Sequence, residues 1–376
     1  MSAEPTDVVI VGAGILGLAN AWAASRQGRT VRVIEKSPFA QGASIRNFGM
    51  VWPVGQPADR VDLALASRDR WLELVQAGAV EGTRCGSIHL ATDDLEATVM
   101  REFAASELGA RLGATVIDGD EARDRSPAVA DSVVAGLWSD AEVGIDSPVA
   151  VASLTRWLEA EHDVDFVFGT AAARVEPGLV LTADGTEHRA EIVMGCIGAE
   201  PGGPFGEVLL DPGVKRTKLQ MLETIPQPDG RRLGPHLASG LTLRHYDSFR
   251  VCPSLAELAN RIATETPELD RWGIHVMASQ RIDGAVVLGD SHVYGDEIDC
   301  FDVAEVDDLI VRELRRIIDL PDWTIRRRWH GVYAKHFEDP VVVRETRPGC
   351  HAMVAPGGAG MTLSFGLADR FWDEQR

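Results

Sequence analysis

The chain has 376 residues, 45% hydrophobic and 25% charged; these are ordinary globular values that suit two domains and exclude disordered, collagen-like and coiled-coil classes. A net charge of −20 repels phosphate backbones and anionic lipid, so neither nucleic acid nor a membrane surface is an expected partner. The longest apolar run, Val8 to Ala19, is far short of the roughly 20 residues that span a bilayer; Met1–Thr6 lacks the basic start of a signal peptide, and the expected location is cytoplasmic.

In chain order, Asp7 to Val11 is a β-branched apolar run, the pattern of a buried parallel strand. Gly12-Ala-Gly14-Ile-Leu-Gly17 follows, then a helical stretch from Leu18 to Gln27 that Gly28 is placed to end in a left-handed cap. Thr30 to Glu35 reads as a second strand. Residues 59–80 have helical spacing, with Leu63, Leu65, Trp71, Leu72 and Val75 as core candidates. Further on, Gly86–Thr92 reads as a strand and Leu95–Leu112 as a helix; Gly144–Pro148 reads as a turn before a helix over Val149–Glu161. A strand over Val164–Phe168 and hairpins near Gly178 and Gly185 come next. Residues 213–325 are β-rich, carry His245-Tyr246 and His292-Val-Tyr294 on expected strands, and end in helical spacing over Val303–Ile318. Arg326–Arg328 reads as a solvated edge. Five scattered cysteines, with no CxxC and no Cys/His ligand spacing, predict buried free thiols and no metal site.

The first 35 residues form a complete strand–turn–helix–strand unit. Glycines at 12, 14 and 17 let the backbone approach a pyrophosphate at the helix N-terminus, and Glu35 is placed to accept ribose hydroxyls. An acid at that position disfavours the 2′-phosphate of NADP.

The loop that follows, Ser37 to Met50 through Gly42, Arg46 and Gly49, resembles the flavoprotein family of D-amino-acid oxidase, glycine oxidase and sarcosine oxidase. Ala190-Glu-Ile-Val-Met-Gly195-Cys-Ile-Gly198-Ala199 and Val354-Ala-Pro-Gly357-Gly358-Ala-Gly360-Met361-Thr362 resemble that family's later motifs, in the family's order. Ala43–Pro57, Lys218–Met221, Leu288–Gly295 and Trp329–Tyr333 are similar to a bacterial subgroup associated with aminophosphonate breakdown. The resemblance implies an α/β chain of two interleaved domains. Residues 1–85, 145–212 and 326–376 form a Rossmann-like FAD-binding domain, and residues 86–144 and 213–325 a β-sheet substrate domain. It implies non-covalent FAD on Gly12, Gly14, Ile15, Leu16, Gly17, Glu35, Lys36, Ser44, Arg46, Asn47, Gly49, Met50, Val175, Gly198, Gly357, Gly358, Gly360, Met361 and Thr362.

The implied reaction is oxidation of a small amine, its hydride passing to the flavin and the imine then hydrolysing. His330, Arg46, Tyr246 and Tyr333 are the catalytic candidates. Arg46, Lys218, His292, Tyr294, Arg328 and His330 are the substrate-binding candidates. Basic residues at 46, 215, 218, 328, 330 and 335 suggest an anionic head group, with 2-aminoethylphosphonate-like or N-methylated aminophosphonates as candidates. The cysteine that carries covalent flavin in sarcosine oxidase falls on Gly331, and the lysine that promotes oxygen reaction there falls near Val287. Oxygen and another electron acceptor both stay open, as does oligomeric state. Oxidation of a 2-hydroxy acid or another amino acid, and a non-catalytic FAD-binding accessory role, remain alternatives on the same fold.

Overall fold

The computed structural model describes residues 2–338 and 341–376 and is a mixed α/β structure built on two large sheets. Thr6–Val11 is the centre of the first. It pairs in parallel with Val31–Glu35 on one side and Glu187–Gly195 on the other. The sheet runs on through Asp165–Phe168 beyond Val31–Glu35, and through the hairpin Ala172–Glu176 and Leu179–Thr182 beyond Glu187–Gly195; Cys350–Val354 joins parallel to the last. The central strands, Thr6–Val11 and Val31–Glu35, are largely apolar and buried because helices cover them. The helix Ile15–Ser25 packs between the sheet and the closing helix Gly360–Glu374. Gly28 takes φ +79° just past the first helix, as its position predicts.

The second sheet has nine strands. Val214–Pro226 is its backbone, pairing antiparallel with Ala285–Gly289, with Val293–Gly295 and, along nearly its whole length, with Ile325–His336. The far side carries Met277–Gln280, His236–Ser239, Ser87–Ala91, Ala135–Ser139 and Thr115–Asp118. Ile325–His336 therefore belongs to this sheet. A small three-stranded sheet of Met50–Val51, Gly82–Arg84 and Val143–Ile145 sits between the two large ones.

Several expectations shift locally. The helix expected over 59–80 spans Val61–Gln76; its Trp71 is fully buried and donates to Met361 O at 2.8 Å, tying it to the last helix. The stretch 95–112 breaks into Asp94–Ala104 and Glu107–Arg111, because Asp93 and Ser106 each cap a new N-terminus. The turn expected at 144–148 opens on strand Val143–Ile145 before a helix from Ser147. Within 213–325, helices Leu255–Glu265, Pro267–Arg271 and Ala304–Leu314 cover the sheet, and His245-Tyr246 lies between two 3-10 turns, not on a strand. Arg326 and Arg327 are not merely a solvated edge: both face the buried carboxylate of Glu223. Cys196, Cys252 and Cys350 are buried and Cys85 half-buried, but Cys300 is exposed on a surface loop. Among the described residues, no helix is long and apolar enough to cross a membrane.

Candidate functional site

A cavity of about 680 Å³ runs from the glycine turn to the face of the nine-stranded sheet. At the turn, Gly12 adopts φ +108°, and a Cβ there would lie 2.3 Å from Cys196 O. A Cβ on Gly17 would lie 1.9 Å from Gly12 O. Both glycines thus serve the close packing of helix on strand, behind the cavity wall. Gly14 is the glycine that faces the open space.

Glu35, at the end of its strand, accepts from Ala13 N at 2.9 Å and from Ser37 N at 3.0 Å, which holds the carboxylate beside the turn. Ser44 Oγ accepts from Ile15 N at 2.9 Å and so fixes the crossing loop to the first helix. Asn47 stitches that loop: its amide donates to Ala43 O and Ser44 O, and its Oδ1 accepts from Gly49 N at 2.7 Å. Gly49 itself is behind the wall, where a Cβ would strike Ile145 O.

Of the expected cofactor residues, Gly14, Ile15, Leu16, Glu35, Lys36, Ser44, Arg46, Asn47, Met50, Gly198, Gly357, Gly358, Gly360, Met361 and Thr362 line this one cavity. Gly12, Gly17 and Gly49 shape it from behind. Val175 does neither: paired with Val180 across its hairpin, it points into the core with Val9, Ile34 and Val193. The residues present fit a dinucleotide. A Cβ on Gly198 would meet nothing within 4 Å, and the flanking helix start, with no acidic residue in its first turn, presents backbone N–H groups and a positive dipole end.

The far end of the cavity is a chamber of aromatic and titratable side chains. Tyr246, Tyr333 and His292 reach it, together with Arg46 and Lys335. Arg46 donates weakly to His330 O, at 3.4 Å, and no ion pair to it is found among the described residues. Lys335 likewise has no carboxylate partner there. Its Nζ sits over the rings of Phe337 and Tyr294, and burial lowers its pKa from the usual 10.5. Burial also raises the Tyr333 hydroxyl well above its ordinary range.

Lys218, Arg328, His330 and Tyr294 are not among the residues that line the chamber. Side chains alternate along a strand. Gly331, Tyr333 and Lys335 share the chamber face of Ile325–His336, so Arg328 and His330 fall on the opposite one. Lys218 pairs with Val332 and shares that outer face. There Asp302 takes both the Lys218 ammonium and the His330 ring, at 2.9 and 2.8 Å, and Phe301 O accepts from Lys218. Arg328 pairs with Asp307 at 3.1 Å. Lys215 pairs with Asp296 at 2.6 Å. Most of the expected basic cluster is therefore neutralised by acids of residues 296–307. Tyr294 stands at the rim, 39% exposed, against Phe337.

The structure adds groups with no expected role: His245, His275 and Asp290 beside His292, and Arg60 and Trp52 opposite. Asp290 lies inside the Leu288–Gly295 motif, but no spacing rule links it to His275. The link is a backbone pair, His275 N to Asp290 O at 3.3 Å and Asp290 N to His275 O at 3.0 Å. His245, His275 and His292 bring one nitrogen each within 4.8 Å of one another. Their ring centroids stand 3.7–4.7 Å apart, with the His275 and His292 rings stacked and His245 tilted against both. Burial and the neighbouring cations push His292 down to about 3, and hold His245 and His275 well below 6.5.

A family model described as FAD dependent oxidoreductase (DAO) matches residues 7–371. The tRNA 5-methylaminomethyl-2-thiouridine biosynthesis bifunctional protein MnmC of Chromohalobacter salexigens is 30% identical over 201 residues, covering 49% of this chain and 28% of that protein. An opine oxidase component of Rhizobium meliloti is 28% identical over 149 residues, covering 36% of this chain and 40% of that protein. The chain thus spans less than half the length of either curated relative. Among solved structures, glycine oxidase from Geobacillus kaustophilus shares the fold, with a TM-score of 0.77 over 100% of this chain and 96% of that one, at 18% identity. From the strand before the glycine turn to the closing helix, the chain belongs to the DAO family of FAD-dependent oxidoreductases.

Proposed function

We propose that this chain oxidises the C–N bond of a small amine bearing an anionic group, with 2-aminoethylphosphonate-like and N-methylated aminophosphonates as the candidate substrates. One observation carries the reading. The cavity that begins at the glycine turn and Glu35 ends in a chamber where Arg46 and Lys335, both half-buried, form no ion pair among the described residues. In a body of charge −20, two such half-buried cations are attractive partners for an anion.

Gly14, Ile15, Glu35, Ser44 and the Gly357–Thr362 turn would hold FAD along the passage, and bound FAD would supply the two-electron acceptor for hydride from the substrate carbon. The chain does the rest. Arg46 and Lys335 draw the anionic end, and the Tyr246 and Tyr333 hydroxyls offer donors beside it. Trp52, Met221 and Met277 wall the chamber and exclude water, which strengthens each of these contacts. Low dielectric favours the neutral amine that a departing hydride requires. The imine hydrolyses to an aldehyde or keto product. Likeness to a glycine oxidase fold and to an opine oxidase component, both named for oxidase activity, supports the same reaction class. Val287 lies in the sheet core and does not line the cavity, so no lysine assists oxygen from that position, and a separate electron acceptor is part of the proposal.

Anaerobic mixing of the flavin-loaded protein with amino acids, N-methyl amines, aminophosphonates and 2-hydroxy acids tests this. Bleaching of the flavin by anionic amines, fastest with an aminophosphonate, is expected. Bleaching by glycine or sarcosine at least as fast removes the phosphonate preference. Bleaching by hydroxy acids alone contradicts the amine reading.

A further inference from the structure

We propose that Asp290 is the base that takes the proton from the substrate's ammonium group, so that the amine is neutral before it is oxidised. The role rests on the amine reading above and goes beyond it, since desolvation alone would only select the small neutral fraction already in solution.

Asp290 follows the strand Ala285–Gly289, is 4% exposed, and lines the chamber. Its Oδ1 accepts no hydrogen bond. The nearest ring nitrogens, His275 Nε2 at 3.4 Å and His292 Nδ1 at 3.9 Å, are close but not aligned for one. No lysine or arginine ion pair reaches the carboxylate among the described residues. A buried carboxylate with one oxygen left unpaired costs several kcal/mol unless a cation completes it. An alkylammonium entering the chamber is such a cation. With Arg46 and Lys335 drawing an anionic end, the amine end of a bifunctional substrate is left for Asp290.

The proton balance is simple. The N–H bond breaks, an O–H bond forms on Asp290, and the electron pair stays on nitrogen. That lone pair is what loss of hydride from the adjacent carbon needs. The neighbours decide which group is the base. Burial lifts the Asp290 carboxyl well above its ordinary range, which makes its anion a stronger base. Burial pushes His275 and His292 far down, so they stay neutral. The other groups near this corner are His245, Arg244 and Lys335, which act on His275, and the hydroxyls of Tyr246, Tyr294 and Tyr333, which burial raises first and the Asp290 carboxylate raises further.

The test uses the flavin-loaded protein and Asp290→Asn, mixed anaerobically with glycine, sarcosine and 2-aminoethylphosphonate from pH 6.5 to 10. The second-order rate constant for bleaching is read. For the wild type it should be nearly level between the Asp290 pKa and that of the amine. In Asp290→Asn it should be on the order of 100-fold lower at pH 7.5 and climb about tenfold per pH unit toward the amine pKa near 10, tracking the free amine. A merely structural role would lower the rate without changing that slope. If the variant does not retain flavin, the wild-type profile decides alone: a climb of about tenfold per unit all the way to the amine pKa, with no level stretch before it, overturns the role. Bleaching of wild type and variant with the same profile also overturns it, while leaving the amine reading intact. No bleaching of the wild type by any amine overturns both.

Discussion

At the residue scale, the chamber separates side chains that look alike in sequence. Arg328 and His330 share a strand with Tyr333 and Lys335, and Lys218 lies on the strand paired with it, yet strand parity turns all three outward onto Asp302 and Asp307. Nothing in a linear sequence fixes which face of a long strand will meet a cavity. Arg46 is the opposite case: it follows a loop whose course was readable, and it reaches the site without an acid partner. Arg46→Ala should therefore lower kcat/KM for an anionic amine roughly 10–100-fold, the loss of one charge-assisted hydrogen bond of about 1.5–3 kcal/mol, and barely affect an uncharged analogue. Equal losses for both in steady-state assays would remove Arg46 from anion binding. Gly331 lines the cavity and has no side chain to bond to a flavin. Acid precipitation should release all the yellow colour into the supernatant, and colour held in the pellet would show a covalent link elsewhere.

At the element scale, the strand–turn–helix–strand unit was legible because each part carries its own local signal: β-branched residues, glycines, and an acid at the strand end. Its packing is unforgiving. A Cβ on Gly17 would sit 1.9 Å from Gly12 O, backbone that cannot give way, so Gly17→Ala should cost at least the 1–3 kcal/mol usual for overpacking and release FAD on gel filtration. Retained flavin with an unchanged melting temperature would contradict that packing. The long sheet was less legible. Glu223, on Val214–Pro226, is 2% exposed and meets Arg281 at 3.2 Å, Arg326 at 2.7 Å and Arg327 at 3.5 Å. Only the pairing of three distant segments creates this cluster. Removing the charge leaves guanidinium groups underpaired, so Glu223→Gln should lose on the order of 3 kcal/mol in denaturant unfolding. The same cause hid Asp290 and His275, which are joined by backbone bonds across the sheet.

At the scale of the whole molecule, two sheets meet so that one cavity touches both, and the chemistry lies at their junction. The junction also carries a pH liability. Burial pushes His89 down to about 3, His236 to about 4 and His292 to about 3. Below pH 6.5 the unfolded chain binds protons that these folded histidines refuse, so stability falls as pH drops. The slope is about 1.4 kcal/mol per pH unit for each histidine until the folded pKa is reached. Melting temperature should decline steadily from pH 6.5 to 5, and a flat profile there would place these rings in contact with solvent. The central claim, that this cavity oxidises a C–N bond, is tested most directly by product stoichiometry in one anaerobic turnover. One carbonyl compound and one ammonia or alkylamine should be released for each flavin bleached by an anionic amine. Bleaching without carbonyl product, or no bleaching by any amine, would contradict it.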